Sequence, residues 1–138
     1  MVATCNAGVL GTCQAADMAL SVVIADDSAR FRDSARALLE REGMDVLAVA
    51  STPDDAVEQV RQRRPDVVVL DLHFGTVSGL EVARLLTADR ESTPAVVLVS
   101  TVSAEDVEPL LDGSPVRGFV SKIDLSAAAV ASIVGPTC

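Results

Sequence analysis

A chain of 138 residues with 49% hydrophobic content is large enough for one domain with a proper core. Its formal net charge of −9 argues against a nucleic-acid binder: no basic stripe can release phosphate counterions, and Phe31, Phe74 and Phe119, the only aromatics, make no base-stacking platform. No apolar run approaches the roughly 18 residues of a membrane span, and Cys5, Cys13 and Cys138 fit neither a disulfide framework nor a metal-ligand spacing, so a reduced, cytoplasmic compartment is expected.

Residues 1–18 show no usable periodicity, and the first basic residue, Arg30, comes too late for a secretory signal. The segment is expected to be a disordered N-terminal extension, with Met18 as an alternative start, and the folded domain to span 19–135. From residue 19 strands and helices alternate. Ser21-Val-Val-Ile-Ala25 reads as a first strand. Phe31, Ala35, Leu38 and Leu39 then recur at helical spacing until Gly43. Asp45 to Ala50 is a second strand, and Ser51-Thr-Pro-Asp-Asp55 a helix start, with a hydroxyl cap, proline in the first turn and acids beside the positive helix end. Ala56, Val57 and Val60 point that helix inward.

The near-continuous apolar run 66–70 suits a parallel strand covered on both faces. A loop from His73 to Ser78 follows, then a helix from Gly79 to about Ala88 with Leu80, Ala83 and Leu86 on one stripe. A fourth strand lies over Ala95–Val99. Ser103 opens a helix that Pro109 and Gly113 are expected to keep short, with Val107, Leu110 and Leu111 as its core side. A fifth strand at 116–120 and a helix from Leu125 to about Val134 complete five βα repeats. The expected fold is α/β: a doubly wound, five-stranded parallel sheet of flavodoxin-like order 2-1-3-4-5.

In that order the first and third strands are neighbours at the switch point, and ligands bind beyond the carboxyl ends of the strands. Asp26, Asp27 and Asp71 would face one another there, with Ser100 ending the fourth strand and Lys122, the only lysine of the chain, just past the fifth. Three clustered carboxylates repel unless a cation neutralises them. Oxygen ligands with room for water suit Mg²⁺ rather than Zn²⁺. A carboxylate beside such an ion can take a phosphoryl group, with Ser100 donating a hydrogen bond and Lys122 an ion pair.

The pieces Ile24-Ala-Asp-Asp27, Val67-Val-Val-Leu-Asp-Leu72 followed by Ser78-Gly79-Leu80, Leu98-Val-Ser-Thr101 and Gly118-Phe-Val-Ser-Lys122 together make residues 20–134 resemble the receiver domain of two-component response regulators. The resemblance implies a stand-alone, bacterial signalling receiver and not an enzyme acting on a free substrate. It implies that Asp71 is the phosphoacceptor and that Mg²⁺ is held by Asp26, Asp27, Asp71 and the backbone carbonyl of His73. Ser100 would be the switch hydroxyl, Phe119 the switch aromatic and Lys122 the phosphate-binding lysine. The implied partners are a histidine kinase or phosphotransfer protein and a downstream protein, homodimerisation included, on the face of the fourth helix, fifth strand and fifth helix. Gly75, Ile123 and Thr101 depart from the common pattern, where proline, proline and a smaller residue are frequent.

Three rival readings are weighed against this one. A receiver-like interaction module acting independently of phosphorylation keeps the same fold. A fragment of a DNA-binding regulator would need a helix-turn-helix segment, which is not found here. A haloacid-dehalogenase-type phosphotransferase wants a second aspartate where this chain has His73.

Overall fold

The alternation read from the sequence is present in the computed structural model, which describes residues 19–88, 93–102 and 104–135. The expected extension over 1–18 and the helix start at Ser103 lie outside these residues. In chain order the elements are β1 (Ser21–Ala25), α1 (Ala29–Arg41), β2 (Asp45–Ala50), α2 (Pro53–Arg63) and β3 (Val67–Asp71). A short hairpin follows, β4 (His73–Phe74) and β5 (Val77–Ser78), then α3 (Gly79–Leu86), β6 (Ala95–Ser100), α4 (Ala104–Leu111), β7 (Gly118–Ser121) and α5 (Ala127–Val134). A 3-10 turn, Lys122–Asp124, joins β7 to the segment before α5.

Five strands form one parallel sheet in the order β2-β1-β3-β6-β7, as the sequence pattern predicts. Alternate residues of each strand feed opposite faces. Val23, Ala25, Val68, Leu70, Val96 and Leu98 pack under α2, α3 and α4 through Ala56, Val60, Val82, Ala83 and Val107. Val22, Ile24, Val67, Val69, Val97 and Val99 pack under α1 and α5 through Ala35, Leu39 and Val130. Every residue of β3 and β6 is buried, which explains their unbroken apolar runs.

Hydroxyl caps start the helices where the backbone has no intrahelical partner. Ser28 Oγ accepts from Phe31 N, Thr52 Oγ1 from Asp55 N, and Ser126 Oγ from Ala129 N.

Local differences from the sequence reading have local causes. The loop from His73 to Ser78 is a two-stranded hairpin turning at Gly75, whose φ of 64° is left-handed. Thr87 ends α3 at Leu86, two residues before the expected Ala88, its hydroxyl donating back to Ala83 O at 2.8 Å. The buried residues of α3 are Gly79, Val82, Ala83 and Leu86, so Val82 takes the core place assigned to Leu80. α4 is short, as expected, with Pro109 inside it on the exposed side. Of the expected core side of α4 only Val107 is buried; Leu110 is 51% exposed. The last helix begins at Ala127, because the 3-10 turn and the Ser126 cap occupy the residues before it.

Candidate functional site

Strand register brings the expected residues together at the carboxyl ends of the sheet. Ala25 pairs with Leu70 and Asp71 with Val99, so Asp26 and Asp71 stand level on adjacent strands. Ser100 pairs with Ser121, which puts Ser100 and Lys122 on the same edge. One carboxylate oxygen from each of Asp26, Asp27 and Asp71 lies within 4.8 Å of the others. Asp26, Asp71 and Ser100 are the buried polar or charged residues among those described.

Each acid is held differently. Asp26 Oδ1 accepts from Ser28 N at 2.8 Å, an Asx turn that also directs the chain into α1. Its Oδ2, fully buried, faces Lys122 Nζ at 2.7 Å. Oδ2 has no other partner among the described residues, so this ammonium alone compensates it. Asp27 is exposed, and its Oδ2 accepts from Gly75 N at 3.1 Å, tying the hairpin tip to the crevice. A proline at position 75 has no N–H to make this bond. Asp71 Oδ1 accepts from His73 N at 3.2 Å, while the His73 side chain is exposed.

Lys122 Nζ is 3.7 Å from Asp71 Oδ2, so a single ammonium serves two buried carboxylates. It does not suffice. Burial, and then the charge of Asp26, push the Asp71 carboxyl up to about 6 from an ordinary 3.8, against the opposing pull of Lys122 and the His73 N–H. The crevice thus carries three carboxylates against one ammonium, a buried oxygen whose only partner is that shared ammonium, and only oxygen donors. That set fits a small hard divalent cation such as Mg²⁺, which keeps several waters and takes few protein carboxylates.

Gly79 is a spatial requirement of the site. A Cβ there would collide with the Asp71 carbonyl oxygen, because α3 starts directly against the end of β3 with Gly79 N donating to Leu72 O at 2.6 Å. Ser100 is 1% exposed, and its Oγ accepts from Val102 N at 3.2 Å, which bends the chain out of β6. Phe119 sits beside the site rather than in it. It lines an open groove of about 650 Å³ together with Thr101, Val102, Ile123 and Ile133.

Two contributors were not read from the sequence. Phe31 places its ring centroid 4.4 Å from Lys122 Nζ, and Arg32 Nη1 donates to the Asp26 carbonyl at 2.8 Å. Both belong to the first turns of α1, and only the fold shows that this helix starts against Lys122. By its spacing Phe31 reads as a core position of the helix, and its ring does pack against that core.

Comparison with known proteins shows the family and the fold. The family model for the response regulator receiver domain matches residues 22–128. Protein-glutamate methylesterase/protein-glutamine glutaminase 3 of Hahella chejuensis is 36% identical over 87 residues, covering 63% of this chain and 25% of that protein. The transcriptional regulatory protein LnrK of Bacillus subtilis is 30% identical over 117 residues, covering 83% of this chain and 52% of LnrK. The chain therefore spans a quarter to a half of these relatives. Among solved structures, the signal receiver domain of the response regulator NarL from Mycobacterium tuberculosis superposes with a TM-score of 0.70 at 24% identity, over 85% of this chain and 98% of that one, a likeness of fold. Among the described residues no helix is long and apolar enough to cross a membrane. The chain belongs to the family of receiver domains of two-component response regulators, whose general function is phosphorylation signalling.

Proposed function

We propose that residues 19–135 form a receiver that accepts a phosphoryl group on Asp71 and converts it into a change of protein-binding surface. The observation that supports this most directly is the crevice itself: three converging carboxylates faced by the only lysine of the chain, 2.7 Å from Asp26 and 3.7 Å from Asp71. In the transfer, a carboxylate oxygen of Asp71 attacks phosphorus. The bond from phosphorus to the donor breaks with its electron pair leaving on the donor, a phosphohistidine of a kinase or phosphotransfer protein or a small acyl phosphate. The product is an acyl phosphate on Asp71.

Asp26, Asp27, Asp71 and the His73 backbone carbonyl would hold Mg²⁺, which would neutralise charge on the phosphoryl group. Asp26 and Asp27 act as ligands and not as bases. Lys122 exchanges its contact with Asp71 for an ion pair to a phosphoryl oxygen. Ser100 donates its hydroxyl to another oxygen, which pulls on Thr101 and Val102 at the groove and biases a pre-existing equilibrium of Phe119. The output surface is α4, β7 and α5, offered to a downstream protein or a second copy. The chain acts on its own side chain rather than turning over a free substrate, and we place it in the bacterial cytoplasm with its phosphodonor.

The test is intact-mass analysis after incubation with acetyl phosphate and Mg²⁺. The wild type is expected to gain one phosphoryl group, and Asp71→Ala or chelation of the metal to abolish the gain. An unmodified wild type, with acetyl phosphate and with a cognate kinase alike, would leave the phosphorylation-independent interaction module as the reading.

A further inference from the structure

Lys122 is held from a side that the acidic cluster does not supply. Its ammonium nitrogen stands 4.4 Å from the centre of the Phe31 ring, close enough for the electron-rich face to attract it. Phe31 is well placed to hold a cation, because its own position is fixed. Its backbone N–H caps onto Ser28 Oγ at 3.3 Å, its ring is half-buried against the cluster under β1, and its neighbour Arg32 is tied to the Asp26 carbonyl at 2.8 Å. Lysine is the opposite case: a compact charge on a flexible four-carbon stem. The side chain of Lys122 is only 17% exposed, and the acidic cluster holds its ammonium through Asp26 at 2.7 Å and Asp71 at 3.7 Å; the ring of Phe31 is a contact from outside that cluster.

We propose that Phe31 is a positioning residue for Lys122: its ring forms the second wall of the ammonium site through a cation–π contact and keeps the charge poised between Asp26 and Asp71. For its effect on phosphoryl transfer the inference rests on the reading of Asp71 as phosphoacceptor; for the geometry of Lys122 it does not. A core role alone makes a different prediction. Leucine would then replace phenylalanine without consequence for the lysine, since both fill apolar space.

The single lysine makes the experiment clean, because protein labelled with ¹³C only in lysine gives one Cε–Hε spin system. In the wild type the Lys122 Hε signals are expected upfield of a solvated lysine, shielded by the ring. Phe31→Leu is expected to return them to the solvated value and Phe31→Tyr to keep them shielded, with backbone amide spectra showing that both variants are folded. In parallel, phosphorylation by acetyl phosphate is expected to slow about five-fold in Phe31→Leu, in the maximal rate constant rather than in the half-saturating donor concentration, and to recover in Phe31→Tyr. An unshielded Lys122 in the wild type, or Phe31→Tyr as defective as Phe31→Leu, overturns the proposal. So does a Phe31→Leu variant with unchanged lysine signals. Failure of the wild type to take any phosphoryl group refutes the phosphoacceptor reading instead, and the lysine signals still decide the role of Phe31.

Discussion

The acidic crevice and the groove beside β7 share one sheet edge but are made of opposite materials. The crevice sits on the central strands β1 and β3, where Asp26 is fully buried and Asp71 is 6% exposed, and backbone N–H groups fix a carboxylate oxygen on each acid. The groove sits on the edge strand β7, lined by partly buried Phe119 and by Ile123, which is 90% exposed. Chemistry on a phosphoryl group needs charges held within a fraction of an ångström, which close packing on all sides provides. A surface that must change on a signal needs few contacts to break, and an edge strand beside a short, proline-containing helix has few. Substitutions in the crevice should therefore disturb the fold and the chemistry together, and those at the groove neither.

The largest effect is expected at Gly79. An alanine there must push the start of α3 away from the Asp71 carbonyl, because the obstructing atoms are backbone and cannot rotate aside. Gly79→Ala should lose ~3 kcal/mol of stability in urea denaturation and most of its phosphoryl uptake. A loss below ~1 kcal/mol would show that the junction between β3 and α3 is more pliant than the packing implies.

Next comes Lys122. Lys122→Met keeps the stem and removes the charge, leaving Asp26 buried without a cation. Breaking a fully buried pair costs ~3–5 kcal/mol; the partial exposure of this lysine brings the expectation to about 2 kcal/mol at pH 7. Added Mg²⁺ should return part of that loss in thermal melts, since a cation bound to the folded state stabilises it by mass action. No response to Mg²⁺ in wild type or variant would argue against a metal in the crevice.

The titration of Asp71 gives a smaller effect with a definite sign. Its carboxyl is raised from 3.8 to about 6, so the folded protein binds this proton more tightly than the unfolded chain. The stabilising contribution is complete below pH ~4 and is lost as the pH rises through about 6. At ~1.4 kcal/mol per pKa unit the shift corresponds to ~3 kcal/mol, which water on the open side of the crevice reduces to about 1–2 kcal/mol. Metal-free protein should therefore lose about that much between pH 4 and pH 7, and Asp71→Asn should flatten this part of the profile and be the more stable protein at pH 7. A wild-type profile that rises over this range, beyond what other carboxylates explain in the Asp71→Asn control, would contradict the sign.

Much of the crevice was legible because it depends on strand ends. Runs such as Val67–Leu70 and Ala95–Val99 announce buried parallel strands, and the acid or hydroxyl after each must then fall on one edge. Residues defined by approach between distant elements were not legible in the same way. Phe31 reads as a helix core position, and its contact with Lys122, far away in sequence, exists only once the sheet brings the start of α1 and the end of β7 to the same edge. The hydrogen bond from Gly75 to Asp27 was hidden for the same reason. On α4, spacing assigns Leu110 to the core, but there only Val107 is buried, with Leu111 partly buried against the same cluster.

The groove, with the exposed side of α4 beside β7, supplies the smallest expected effect on the fold and the sharpest contrast. Ile123→Ser and Leu110→Ser replace apolar side chains that are 90% and 51% exposed, so urea midpoints should stay within about 0.5 kcal/mol of wild type. Acetyl phosphate should modify both variants at the wild-type rate, since neither residue belongs to the crevice. Phosphorylation-dependent self-association, measured by sedimentation with and without the phosphodonor, is where the loss should appear if a second copy uses this face. Altered uptake of the phosphoryl group in either variant would break the comparison, because it would mean that the output surface already constrains the chemistry in the unphosphorylated protein. Unaltered uptake with weakened association would make the coupling one-directional in structure: a rigid charged crevice acting on a pliant apolar edge through Ser100, Thr101 and Phe119.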